Sequence, residues 1–352
     1  MKSEDIAKLA GVSRSTVSRV VNNYPNVPTD TKEKVMNIIK EYNYSPNTYA
    51  RTLAGKKSNT IGLFLIIEGD FGENNRIYMN DFFGAYLDLL LDYASIKDYY
   101  VLVSIISSES KYQKIQQAFL EKRIDAGVII GTQLDTLKKI HMDTITSSVV
   151  LFDYDLTDKD RVFTKDSHIS TINSNDYEGI KDAVRHLYSK GHRSIGFIKG
   201  RELSRSGHIR YEAYLSAMSE LDLDVNADHI IEGEFDIGIA YANTQKMLKD
   251  CEIKPTAIIS ANDFMALAAI DAIHEANLDV PGDISIIGFD NTLHGQISDP
   301  KLTTIGPDFK IMAQKAIDIL DKQIQGIYPS QEVNYEVNFY ERDTCQSITL
   351  EE

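Results

Sequence analysis

Two groups of side chains in this sequence could do chemistry. From Gly11 to Asn23 the chain reads GVSRSTVSRVVNN, with two arginines, four hydroxyl-bearing residues and no acid. An arginine can bridge O6 and N7 of guanine, and serine or threonine hydroxyls can hold phosphate oxygens. The second group lies far downstream. Asp153, the pair Asn262–Asp263 and the pair Asp290–Asn291 each follow a short apolar run, and Arg210 belongs to SGHIRY, which opens a helix after a loop. Carboxylates accept pairs of hydroxyls and arginine donates several bonds. An aromatic ring can cover the apolar face of a sugar.

The first group needs a small helical support. Ile6, Leu9 and Ala10 form one apolar stripe at helical spacing, and Val17, Val20 and Val21 form another. Gly11 between them suits a turn with positive φ, and Ser13 suits the N-cap of the second helix. That helix presents Arg14, Ser15, Thr16, Ser18 and Arg19 outward, as a recognition helix presents side chains to base edges. Pro28 and Thr29 open a third helix, whose buried stripe is Val35, Ile38, Ile39 and Tyr42. Ser45-Pro46 and Gly55 delimit a further helix of about two turns, too short to be stable alone in water.

The second group needs sheets. Ile61–Ile67, Tyr99–Ile106, Ala126–Ile130 and Val149–Phe152 read as buried parallel strands, with helices at Asp81–Ile96, Tyr112–Lys122 and Asp135–Ile140. The pattern restarts after residue 172. Strands are predicted at Ser194–Ile198, His229–Glu232, Ala257–Ser260 and Ser285–Gly288, with helices at Ile180–Lys190, Arg210–Leu221, Ile237–Lys249 and Phe264–Glu275. The fold class is thus a small all-α helix-turn-helix head plus an α/β body of two doubly wound parallel-sheet subdomains. Ligands of such sheets sit at the carboxyl ends of strands, where the second group lies.

Charge separates the two parts. Of the 352 residues, 37 are Lys or Arg and 52 are Asp or Glu, a net charge of −15. Residues 1–60 carry ten basic and five acidic side chains, so this segment is +5 and the remainder −20. A basic head on an acidic body points to nucleic acid at one end only. Two cysteines, Cys251 and Cys345, exclude a disulfide framework and fit a reducing cytoplasm. No apolar run approaches the ~18 residues of a membrane span, so no membrane partner is expected. The sequence holds no GxxxxGK, GxGxxG, HExxH or GxSxG, and its eight histidines are scattered. Catalysis, a metal and a cofactor are therefore not expected.

DIAKLAGVSRSTVSRVVNN, NYSPNTYARTLAGKKSNTIGL, ANDFMA, IGFDN and LTTIGPDF together resemble the LacI/GalR (lactose-repressor) family of bacterial transcription regulators, over essentially the whole chain to about Thr344. The resemblance implies a body like a type I periplasmic sugar-binding protein. It implies a DNA-binding domain at 1–45, a hinge helix and linker at 46–58, an effector-binding and dimerisation domain at 59–345, and a tail at 346–352. Subdomain one would comprise about 59–172 and 306–336, and subdomain two about 173–305 and 337–345.

The DNA-contacting set is then Ser13, Arg14, Ser15, Thr16, Ser18, Arg19 and Asn22 in the head, with Asn47, Ala50, Arg51 and Leu53 in the hinge. Leu53 matches the apolar wedge that partly unstacks a base step. Asp153, Arg210, Phe235, Asn262, Asp290 and Phe309 match effector-binding positions. Asp263 is read as a possible cap of the next helix. The partners implied are a pseudo-palindromic double-stranded operator, a small-molecule effector, a sugar in preference to a purine, and a second copy of the chain. The competing readings are a sugar-binding protein or a sugar enzyme with an added DNA-binding head. One departure from the family stands out. Asn80-Asp81-Phe82-Phe83 replaces the usual Asn-Pro-Phe-Phe, after an inserted segment Glu68–Met79 that would lie by the pocket mouth and leaves the effector's identity open.

Overall fold

The computed structural model describes residues 1–21, 24–44, 57–67, 81–164, 167–327 and 329–349. Two compact units result, 1–58 and 59–352. In the first, α1 (Ser3–Ala10), α2 (Arg14–Val21) and α3 (Thr29–Glu41) close over Ile6, Ala7, Ala10, Val17, Val20 and Val35. Gly11 ends α1 at φ +64°, a left-handed position that a Cβ would strain. Two expected core members are displaced. Leu9 and Tyr42 are exposed; Ala7 fills the space under α1, and Tyr44 rather than Tyr42 packs against the cluster. A core this small has room for alanine where two helices cross closely.

The second unit holds two six-stranded sheets. The first takes β1 (Thr60–Ile66), β2 (Tyr100–Ile106), β3 (Ala126–Ile130), β4 (Ser148–Phe152), β5 (His168–Ser174) and β11 (Glu332–Tyr335), in the order β11-β5-β4-β3-β1-β2, all parallel. Helix α4 (Asp81–Ile96) and helix α13 (Phe309–Ile324) cover one face. Helix α5 (Gln113–Leu120) and the one-turn α6 (Thr136–Lys139) cover the other. A short α7 (Asp158–Phe163) precedes β5.

The second sheet runs β12-β10-β9-β8-β6-β7, from β6 (Ile195–Lys199), β7 (Ile230–Glu232), β8 (Ala257–Ser260), β9 (Ser285–Phe289), β10 (Thr303–Pro307) and β12 (Val337–Tyr340). Only β12 is antiparallel, against β10. Its helices are α8 (Asp176–Ser189), α9 (Arg205–Glu220), α10 (Ile237–Asp250) and α11 (Asp263–Glu275), with a short α12 (Leu293–Ile297). Ile258, Ile259, Ile286 and Ile287 are fully buried between the helical layers, as continuous apolar strands require. The chain crosses between the sheets after β5, after β10 and between β11 and β12. No helix among the described residues is long and apolar enough to cross a membrane.

Strands β5 and β10 escape a hydrophobic scan for a physical reason. Their sequences HISTINS and TTIGP are half polar, yet Ser170, Thr171, Thr303 and Thr304 are buried. Hydroxyl bonds offset the cost: the Gln323 side chain and the Gln331 amide N–H each donate to Ser170 Oγ at 3.0 Å.

Candidate functional site

One cavity of about 540 Å³ lies where the carboxyl ends of the two sheets face each other. Asp153, Arg210, Phe235, Asn262, Asp290 and Phe309 all line it. Asp153 follows β4, Asp290 follows β9, and Phe235 lies in the turn before α10; all three have positive φ, +57°, +109° and +56°. Non-glycine residues in that region are strained, and such strain concentrates where side chains are aimed at ligands. The Phe235 ring packs over Gly200, where an added Cβ would come within 2.3 Å of it. Phe309 begins α13, whose N-cap Asp308 accepts from the Lys310 and Ile311 amides. Its ring meets Phe82 at 5.7 Å and Tyr86 at 4.9 Å, building an aromatic wall from subdomain one.

Arg210 is the centre of the polar floor. The helix begins at Arg205, earlier than its apolar stripe suggested, so Arg210 lies in its second turn. Its side chain is 7 % exposed and that of Asp176 only 1 %. Nε donates to Asp176 at 2.8 Å, and Nη1 donates to the Ala261 carbonyl at 2.5 Å and reaches Asp290 at 3.5 Å. The guanidinium lies 3.6 Å from the centre of the Phe289 ring. Burial opposes its charge, but Asp176, Asp290 and Asp153 outweigh burial and hold it above the ordinary arginine value. Burial pushes the Asp290 carboxyl well up despite Arg210, and burial together with Asp176 raises that of Asp153.

Asp153 also ties the two sheets together. It accepts from the Ser206 amide at 3.2 Å and the Ser206 hydroxyl at 2.6 Å. Arg205 beside it donates to Asp155 at 2.8 Å and lies 3.7 Å from Asp153. A backbone bond from Leu134 to the Leu203 carbonyl at 3.2 Å adds a further link.

The cap of α11 is Asn262, whose Oδ1 accepts from the Met265 amide at 2.9 Å. Asp263 therefore does not cap, and instead accepts from the Thr292 amide, the Thr292 hydroxyl and the Thr304 hydroxyl. Those bonds pin the loop after β9 to α11 and set Asp290 in place. The sequence reading missed Asp176, Ser206, Phe82 and Tyr86, all of which line the cavity. Phe82 and Tyr86 were legible as an i, i+4 aromatic pair on α4; Asp176 becomes visible only when α8 is laid beside α9.

In the head, Ser13, Arg14, Ser15, Ser18 and Arg19 are exposed and Thr16 is half-buried. Ser13 caps α2 by accepting from the Thr16 amide at 3.1 Å, and its hydroxyl also meets those of Ser15 and Thr16. Arg14 folds back, donating to Ser3 at 3.2 Å and lying 3.5 Å from Glu4. Asn22, Asn47, Ala50, Arg51, Leu53 and the inserted segment 68–79 lie outside the described residues.

A helix-turn-helix head and a two-sheet body with a cleft between its sheets define the class of ligand-responsive DNA-binding regulators. Residues 4–47 match the family described as bacterial regulatory proteins, lacI family, and residues 184–345 match a periplasmic binding protein-like domain. The chain is 31 % identical over 349 residues to the Bacillus subtilis protein named probable HTH-type transcriptional repressor ExuR, covering 98 % of each chain. It is 32 % identical over 324 residues to HTH-type transcriptional repressor PurR of Aliivibrio salmonicida, covering 92 % of each. Among solved structures it is similar to a lac repressor dimer bound to operator and the anti-inducer ONPF, with TM-score 0.78, 27 % identity, and 97 % of this chain and 98 % of that one covered. The chain belongs to the LacI family of bacterial transcription regulators.

Proposed function

We propose that this chain is a dimeric repressor of carbohydrate-utilisation genes, acting in the cytoplasm without catalysis and controlled by a sugar bound in the inter-sheet cleft. The observation that carries the reading is the convergence of Asp153, Arg210, Phe235, Asn262, Asp290 and Phe309 from both sheets on one cavity. The relatives named as repressors and the solved lac repressor bound to operator and anti-inducer support the same reading.

Residues 1–45 read a pseudo-palindromic operator through Arg14, Ser15 and Arg19, with Ser13, Thr16, Ser18 and Asn22 along the same helix and loop. Residues 46–58 form the hinge, where Asn47, Ala50 and Arg51 meet the duplex and Leu53 wedges a base step open. Subdomain one, about 59–172 and 306–336, supplies the dimer face. Tyr100, Val103 and Ile105 on the edge strand β2 are exposed, as are Leu91 and Ile96 on α4, and a second copy would cover them. Subdomain two comprises about 173–305 and 337–345, with a tail at 346–352.

The Ser206–Asp153 bond connects the two sheets at the cavity itself, so a ligand that favours one inter-sheet angle shifts the equilibrium between angles by its differential affinity. The test combines operator selection from a random library, a mobility shift with and without candidate sugars, and a turnover assay. A two-fold symmetric site whose occupancy changes with a sugar supports the reading. Failure to select any site, or turnover of a sugar, refutes it.

A further inference from the structure

The wall of the cleft restricts the charge of what it can hold. Among the described residues five carboxylates line it against two guanidinium groups. Each guanidinium already faces a carboxylate, although the Arg201 side chain is 32 % exposed. Arg210 is committed to Asp176, the Ala261 carbonyl and Asp290, with one face against Phe289. Arg201 lies 3.9 Å from the Glu234 carboxylate and donates to the Glu234 carbonyl at 3.5 Å.

Three of the helix ends that open here, which would otherwise attract anions, have a side-chain oxygen on a leading amide, and α8 instead begins with the carboxylate of Asp176. Ser204 accepts from Gly207 at 3.1 Å, Asp236 from Ile239 at 2.9 Å and Asn262 from Met265 at 2.9 Å. What stays open are acceptors. Asp290, 4 % exposed, receives only the 3.5 Å contact from Arg210 among the described residues. Among the described residues one oxygen of Asp153 has no partner nearer than Arg205 at 3.7 Å. Burial already lifts the carboxyls of Asp290 and Asp153, so the site resists the negative charge it has and would resist more.

Resting on the sugar-effector reading above, we infer that this cleft selects polyhydroxy ligands by charge. It takes neutral or aminated forms, whose hydroxyl and ammonium hydrogens meet Asp290 and Asp153. It rejects the uronate and phosphorylated forms of the same molecules. The aromatic wall of Phe309, Phe82 and Tyr86 tolerates any of them, so the discrimination rests on the carboxylates.

The experiment is isothermal titration of the full chain with matched sets: glucose, glucosamine, glucuronate and glucose 6-phosphate; the galactose equivalents; and cellobiose and maltose with their phosphates. We expect a neutral or aminated member to bind and its anionic partners to bind at least about 100-fold more weakly. Asp290→Asn and Asp153→Asn, checked for an unchanged melting temperature, should narrow that gap by about 10-fold. An anionic member that binds as tightly as its neutral partner overturns the inference and leaves the repressor reading standing. A gap that neither substitution narrows overturns its electrostatic origin. Absence of binding by every member, with operator binding retained, overturns the sugar reading beneath it.

Discussion

Replacing Arg210 with Met removes the cation from the cleft floor while keeping most of the side-chain volume. The cost follows from what is left behind. Asp176, 1 % exposed, loses its 2.8 Å partner and keeps the Ser174 hydroxyl; the buried Ala261 carbonyl loses a donor; Asp290 loses the one neighbour that opposes its rise. Breaking a buried ion pair from one side costs about 3–5 kcal/mol, mostly through the stranded charge. Urea unfolding of the body followed by circular dichroism should therefore show a loss of about 3–5 kcal/mol at pH 8. The penalty should shrink as the pH falls, because burial already favours the protonated Asp290 carboxyl and loss of Arg210 favours it further. Adding Asp176→Asn to Arg210→Met should return at least about 1–2 kcal/mol, the coupling that a double-mutant cycle reads. A single-variant loss below about 1 kcal/mol, with no coupling to Asp176, would refute the buried pair as the organiser of the floor.

Four further outcomes are expected. Burial raises the Asp263 carboxyl to about 7, so between pH 4 and 7 the folded body holds a proton that the unfolded chain releases. Stability should fall across that window by up to about 1.4 kcal/mol per pH unit and level off above it. Asp263→Asn should flatten the profile, and an unchanged slope in calorimetry would count against the shift. Phe235→Ala should weaken sugar binding by about 3–10-fold in titration with little change in melting temperature, since the ring lies over Gly200 at the cavity and only half inside the core. Leu53→Ala should weaken specific operator binding by about 10-fold or more while sparing non-specific DNA; an equal loss on both, by mobility shift, removes the wedge. Operator affinity should fall steeply with salt, and Arg19→Ala should either lower the slope by about 1, marking a phosphate contact, or leave it and relax specificity at one base; no effect on either removes Arg19 from the interface.

The sequence by itself determined much of the strand and helix order of the body, though the amphipathic helix α13 (Phe309–Ile324) went unread. Helix α4 spans Asp81–Ile96 and strand β3 spans Ala126–Ile130 in sequence reading and structure alike, because a wide apolar face or a continuous apolar run has one way to be buried. The rule that doubly wound sheets put their ligands past the carboxyl ends of strands pointed to Asp153, Arg210, Asn262 and Asp290, and the family resemblance added Phe235 and Phe309; all six line the cavity. The partly polar strands β5 and β10 were illegible because their hydroxyls are satisfied by residues more than a hundred positions away or across a neighbouring strand, as with Gln323 to Ser170. The exposure of Leu9 and Tyr42 turns on how three short helices cross, which spacing does not encode.

Only the tertiary structure decided the chemistry of the cleft. It brought Asp176 and Arg210 to 2.8 Å across 34 residues, gave the α11 cap to Asn262, and turned Asp263 inward onto two threonines. It also set Ser206 of one subdomain on Asp153 of the other. Patterning fixes which face of each element is buried, because burial depends on residue type. Which charges meet depends on the crossing of elements distant in the chain, and in a buried cleft that meeting sets both the cost of each charge and the ligand that can relieve it.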